Sequence, residues 1–247
     1  MGLLGCARNN PTTLTVGMEL SYPPFEMTDE QGKPTGVSVE MAEALGKELN
    51  LPVQIRNISF DGLIPALKSG EIDCIISSMT ATPERAQAVD FSDPYVTTGL
   101  GILLPLNSKV GGVADLDVPD QIIAVKKGTT GHLYVVNHLP HAQILVLDKE
   151  NAAVLEIVEG KATAFVYDQM SIYQQWRRNP TATRALLKPF QEEHWAIAVA
   201  SGNNELRVKI NTFLIHFRAE GGFDRLSAKY LHEQQEAFKQ MNIPFLF

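Results

Sequence analysis

The chain has 247 residues, 45% hydrophobic and 20% charged, with 21 Lys and Arg against 28 Asp and Glu for a formal net charge of -7. That is the composition of a globular fold burying roughly 70 to 75% of its unfolded surface. Abundant Leu, Ile, Val and Phe exclude disorder, apolar stretches such as residues 100–106 fall far short of the roughly 20 residues of a membrane span, and a mildly acidic chain without basic blocks argues against nucleic acid as a partner.

In chain order, Cys6 comes first. It follows Leu3-Leu4-Gly5, an apolar stretch ending in a small residue that resembles the lipobox of bacterial lipoprotein signal peptides. Only five residues precede it, so residues 1–12 read either as a signal remnant and tether lipidated at Cys6 or as a chance match. From Thr13 onward, short β-branched runs alternate with amphipathic segments, the mark of βαβ units. Residues 14–18 read as a strand and 39–49 as a helix with Val39, Ala42, Leu45 and Leu49 on one face. Residues 53–58 form the next strand, 60–68 a helix stopping at Gly70, and 73–77 a third strand. Thr82-Pro83-Glu84-Arg85 carries a hydroxyl cap, a first-position Pro and an early acid, which predicts a helix start.

A second set follows Pro105. Strands are predicted at 121–125, 143–148 and 162–168, with helices at 130–138, 150–159 and 169–178 between and after them. A strand at 195–200 leads into two terminal helices, 204–218 and 223–240. Two such sets separated by the apolar run 99–104 predict two lobes rather than one sheet.

The chain lacks the G-x-S-x-G, H-E-x-x-H, C-x-x-C, G-x-G-x-x-G and G-x-x-x-x-G-K-[ST] patterns. His138-Leu139-Pro140-His141 lies in a predicted loop without a partner carboxylate, and Cys74 sits in the apolar run Cys74-Ile75-Ile76 as a buried strand residue. No metal or cofactor is expected.

What remains is a set of strand-end loops, where open α/β sheets bind ligands. Ser77-Ser78-Met79-Thr80 followed by Arg85 offers hydroxyls, backbone N–H groups and a guanidinium fork suited to a carboxylate. The bland alternative is helix capping, with Arg85 paired to Glu84 or Asp90 on the surface. Lys126-Lys127-Gly128-Thr129-Thr130-Gly131 is either an anion-approach loop or a plain βα turn. Asp168 closes a strand as an ammonium receptor or as the N-cap of the next helix. Tyr22 and Phe60 flank either a ligand stem or the core, and Glu19 is a candidate acceptor for a distal cation.

Taken together, Tyr22-Pro23-Pro24-Phe25-Glu26, the run 59–67, Ile75-Ile76-Ser77-Ser78-Met79-Thr80, Thr82-Pro83-Glu84-Arg85 and the run 89–95 resemble the polar amino-acid family of bacterial solute-binding proteins, the extracytoplasmic receptors of ABC importers. The resemblance runs from Leu14 to about Leu231. It implies the α/β two-lobed type II periplasmic-binding-protein fold, each lobe a mainly parallel sheet flanked by helices, joined by two crossing hinge strands. On that plan residues 13–98 plus 197–247 form lobe 1 and 103–192 lobe 2, with hinges near 99–102 and 193–196.

Carried over by position, the resemblance implies that Arg85 clamps an α-carboxylate with Ser78, Thr80 and Thr130, among the strand-end residues Ser77, Met79 and Thr129. It further implies that Asp168 binds the α-ammonium and that Tyr22 and Phe60 sandwich the side chain. Glu19 matches an acid that faces basic ligands, whereas Lys126 matches a lysine of glutamine receptors. The chain departs from the family at Trp195, which replaces a usual glycine, and at Gly36-Val37-Ser38-Val39-Glu40. The expected function is capture of a free amino acid, arginine or lysine above others, and its delivery to permease subunits by a monomer in the periplasm or at the outer face of the cytoplasmic membrane. The alternatives are a glutamine receptor or a cyclohexadienyl dehydratase on the same fold, which needs a proton donor over the ring.

Overall fold

The computed structural model describes residues 12–245, so Cys6 lies outside the described residues. Strand β1 (Leu14–Met18) buries Leu14, Val16, Gly17 and Met18, the near-continuous burial of a strand covered on both faces. A short hairpin, β2 (Met27–Thr28) and β3 (Pro34–Thr35), leads into helix α1 (Val37–Leu49). That helix turns Val37, Met41 and Leu45 inward at helical spacing. β4 (Val53–Asn57), a 3-10 turn at Phe60–Gly62, α2 (Leu63–Ser69), β5 (Cys74–Ile75) and β6 (Val89–Phe91) complete this stretch.

β7 (Val96–Pro105) carries the chain into the second set: β8 (Ile122–Lys126), α3 (Thr130–His138), β9 (Gln143–Leu147), α4 (Glu150–Val158), β10 (Ala164–Asp168), α5 (Gln169–Arg178) and β11 (Thr183–Leu186). β12 (Glu192–Trp195) returns to β13 (Ala198–Ala200), α6 (Asn204–Ala219), α7 (Gly222–Tyr230) and α8 (His232–Gln240).

Two sheets result, in the order β4-β1-β5-β13-β6 and β11-β7-β10-β8-β9. In the first, β4, β1 and β5 run parallel and β13 antiparallel to its neighbours β5 and β6. In the second, β9, β8 and β10 run parallel and β7 antiparallel to β10 and β11. β7 belongs to both connections: residues 96–99 pair with β12, while residues 100–105 pair with β10 and β11. The fold is therefore the two-lobed α/β architecture, with the parallel strands of each lobe ending toward the cleft between them.

Three sequence expectations need correction. The predicted helix at Thr82-Pro83-Glu84-Arg85 is only a 3-10 turn over Arg85–Gln87, because the chain must straighten at Val89 to pair with β13. The single strand at 195–200 is split, since Ala196 N–H donates to the Met79 carbonyl at 3.0 Å and Ile197 N–H to the Ser92 hydroxyl at 3.0 Å. The helix at 223–240 breaks at fully buried Leu231, whose φ of -127° leaves helical geometry. The turn there sends α8 across to set Phe238 edge-on against Tyr173 of α5, at 5.4 Å between ring centroids.

Candidate functional site

Arg85 is the cation of the cleft. Its Nη1 donates to the Thr80 carbonyl at 2.7 Å and its Nη2 crosses the cleft to the Gly128 carbonyl at 3.0 Å. The guanidinium lies 5.3 Å from the centre of the Phe60 ring, a cation–π contact. Burial draws its pKa down to about 10, so it stays charged at neutral pH. The surface alternative is excluded: Arg85 is 8% exposed, and Asp90 instead accepts from Gly202 N–H at 2.8 Å.

Asp168, at the end of β10, fulfils its capping role: Oδ1 accepts from Met170 N–H at 2.9 Å and Ser171 N–H at 3.0 Å, starting α5. The Tyr22 hydroxyl, from the other lobe, donates to the same oxygen at 2.6 Å. Burial raises the Asp168 pKa to about 7, against the lowering effect of these hydrogen bonds. The cleft thus sets a guanidinium from one lobe against a carboxylate from the other.

Glycine lets two elements of the second lobe pack closely at the cleft. At Gly131 a Cβ would meet the Val166 carbonyl oxygen at 2.5 Å, so only glycine lets the start of α3 lie against β10. Thr129 caps α3, accepting from His132 N–H at 3.3 Å, and donates to the Lys126 carbonyl at 2.7 Å. Lys126 is buried with its Nζ on the Glu19 carboxylate across the cleft, and its ammonium stands 5.6 Å from the Phe60 ring centre.

Glu19, Tyr22, Phe60, Ser77, Ser78, Thr80, Arg85, Thr129, Thr130 and Asp168 thus line one cleft, with Lys126 closing it against Glu19. Met79 turns elsewhere. Its side chain is buried with Leu63 and Leu67 in the apolar cluster behind the loop.

Three lining residues escaped the reading of the sequence. Glu26 is 1% exposed and accepts from the hydroxyls of Ser38 at 2.6 Å, Ser78 at 3.1 Å and Ser77 at 3.3 Å. Burial nevertheless raises its pKa to about 8. Glu193 on β12 accepts from the Thr80 hydroxyl at 3.2 Å, with the Thr130 hydroxyl nearby; its one sequence signal is the period-two spacing to Trp195. Tyr167 packs edge-on to Tyr22 at 6.2 Å. Trp195 itself sets its ring edge-on to Phe25 at 5.0 Å and to Tyr22 at 6.0 Å. Such aromatic pairs contribute about 0.5 to 1.5 kcal/mol beyond their buried area.

Among the described residues no group of three or more His, Cys, Asp or Glu is placed to hold a metal ion, and no helix is long and apolar enough to cross a membrane.

The family model for bacterial extracellular solute-binding proteins, family 3, matches residues 14–233. The chain belongs to that family. Among the relatives of this solute-binding protein, the L-arginine-binding protein of Pseudomonas aeruginosa is 30% identical over 87% of this chain and 86% of its own. Two solved structures share the fold closely. An ancestral arginine-binding protein bound to arginine superposes with a TM-score of 0.84 at 34% identity, covering 90% of this chain and 99% of that one. An ancestral amino acid-binding protein, a precursor of cyclohexadienyl dehydratase, gives 0.82 at 35% identity over 89% of this chain and 95% of that one.

Proposed function

We propose that this solute-binding protein captures a free amino acid with a basic side chain outside the cytoplasmic membrane and hands it to the permease of an ABC importer. The observation that carries the reading is the opposition of Arg85 and Asp168 across one cleft, both buried and each supplied by a different lobe. Arg85, with the Thr80 and Thr130 hydroxyls, takes the α-carboxylate, and Asp168 takes the α-ammonium. The side chain runs beside Phe60 toward Glu19. Lobe 1, residues 13–98 plus 197–247, closes on lobe 2, residues 103–192, about hinges near 99–102 and 193–196. Lipidation at Cys6 and a monomeric state belong to the same proposal.

The arginine-bound relative supports a basic ligand. One observation favours a second reading, glutamine: Lys126 occupies the Glu19 carboxylate, so a guanidinium or ammonium must displace it, whereas an amide need not. The chain binds its ligand without turnover, a reading supported by relatives that are binding proteins.

Titration calorimetry with arginine, lysine, histidine, glutamine and prephenate tests the ligand reading. The expected order puts arginine and lysine first, with prephenate neither bound nor consumed. Tighter glutamine binding sinks the basic-ligand reading, and consumption of prephenate sinks the receptor.

A further inference from the structure

β12 alternates. Glu192 and His194 point outward and pair with each other at 3.4 Å, while Glu193, 3% exposed, shares the inward face with Trp195. Glu193 Oε2 accepts from the Thr80 hydroxyl at 3.2 Å, and its other carboxylate oxygen from the Gln191 amide at 3.4 Å. Burial raises its pKa, and the nearby Thr130 and Thr80 hydroxyls and the Arg85 charge oppose that rise. Thr80, Thr130 and Arg85 are the same three groups to which the proposed function assigns the ligand's α-carboxylate. An acid of the chain itself therefore already holds the Thr80 hydroxyl and lies in the field of Arg85, whose own N–H groups go to the Thr80 and Gly128 carbonyls.

We infer that Glu193 is a built-in competitor for the ligand's carboxylate, so that capture of an amino acid takes up a proton onto Glu193. The inference rests on the amino-acid reading above. Two ionised carboxylates sharing one guanidinium and two hydroxyls in a buried site repel each other, which favours protonating one of them. A solvent proton on Glu193 removes the repulsion and turns a competitor into an O–H donor toward the ligand carboxylate; no other bond is made or broken.

The charged groups that face Glu193 are Arg85, from the turn after β5, and Asp168, at the end of β10. Arg85 stays charged throughout. Asp168 acts with the opposite sign, because it must be ionised to hold an ammonium. Affinity therefore falls on the acid side as Asp168 is neutralised and on the alkaline side as Glu193 resists protonation. Such a bell belongs to the coupled pair of acids.

The test is titration of the wild-type protein with arginine and with glutamine across the neutral range, in two buffers of different ionisation heat. At about pH 8, where Asp168 is mostly ionised, binding is expected to take up at least about a third of a proton per site. Glu193→Gln is expected to abolish that uptake and raise affinity at this pH by about fivefold or more, since an amide is neutral at every pH. Glu192→Gln, one residue away and solvent-facing, is the control and leaves both readouts unchanged. Binding by the wild type without proton uptake, or a Glu193→Gln variant with unchanged uptake or weaker affinity, overturns the inference and leaves the amino-acid reading standing. Failure of the wild type to bind any amino acid removes both. If Glu193→Gln does not fold, Glu26→Gln separates the two buried acids of the cleft: uptake that persists in that variant belongs to Glu193, and uptake lost with it overturns the inference.

Discussion

The Tyr22 hydroxyl reaches across 146 positions of sequence to donate to Asp168 Oδ1 at 2.6 Å, joining the loop after β1 to the cap of α5. This bond stabilises the ionised carboxylate, which burial otherwise opposes. In Tyr22→Phe, the Asp168 pKa is expected to rise above about 7, leaving more of the acid neutral at neutral pH. Amino-acid affinity then falls by about 1 to 3 kcal/mol near pH 7, the worth of a hydrogen bond to a charged group, and recovers as pH rises past the new pKa. Calorimetry at three pH values checks it; an equal loss at all of them assigns Tyr22 to packing alone.

Arg85→Ala removes the guanidinium that holds the proposed α-carboxylate and bonds Gly128 across the cleft. Affinity is expected to fall by about 2 to 5 kcal/mol with the fold retained. Arg85→Lys recovers little of this, since an ammonium lacks the planar fork. Circular dichroism verifies folding, and a folded Arg85→Ala protein that binds within threefold of wild type removes Arg85 from the site.

Glu26 makes stability depend on pH. Its folded pKa of about 8 lies above the ordinary glutamate value of 4.5, so the folded state holds the proton more tightly than the unfolded chain. The stabilisation is full below about pH 4.5 and is lost as pH rises toward 8. Glu26→Gln, neutral throughout, is expected to flatten that slope and to raise the melting temperature near pH 8.5. Thermal-shift curves from pH 5 to 9 read this out, and a variant with the wild-type slope assigns it to another group.

Lys126 is expected to set specificity through its ion pair with Glu19. Breaking a buried pair from one side leaves an uncompensated charge, at a cost of about 3 to 5 kcal/mol, so Glu19→Gln is expected to destabilise the protein as well as weaken basic ligands. Lys126→Gln releases Glu19 to an incoming cation. Arginine affinity is expected to rise and glutamine affinity to hold; a loss of glutamine affinity without a gain for arginine, measured by competition between the two, makes Lys126 a direct ligand contact for glutamine instead.

Much of this was legible before the structure. α3 and α5 begin where the residues say, because Thr129 and Asp168 are capping side chains whose oxygens accept from the first-turn N–H groups. The cleft residues were legible because strand ends in an open sheet converge. The short strands β2, β3, β6 and β11 were not, since two to four residues carry no period. The turn at Arg85 was misread because its local cap pattern is sound and only β13, more than a hundred residues later, overrules it. Glu26 and Glu193 stayed hidden for a related reason: an acid reads as solvent-exposed until distant hydroxyls of Ser38, Ser77, Ser78 and Thr80 come to meet it.

The place of β13 has a consequence for how the chain assembles. It inserts between β5 and β6, so β6 has no place in the first sheet until residue 200 arrives, while the five strands of the second sheet, β7 to β11, form a continuous stretch of which just residues 96–99 of β7 wait for β12. During synthesis from the N-terminus the inserted lobe is therefore expected to mature first. The earlier strands wait half-paired, exposed to chaperones or to one another. Pulse-labelled hydrogen exchange during refolding is expected to show protection in β8 and β10 ahead of β1 and β5, an order opposite to that in which the ribosome delivers them.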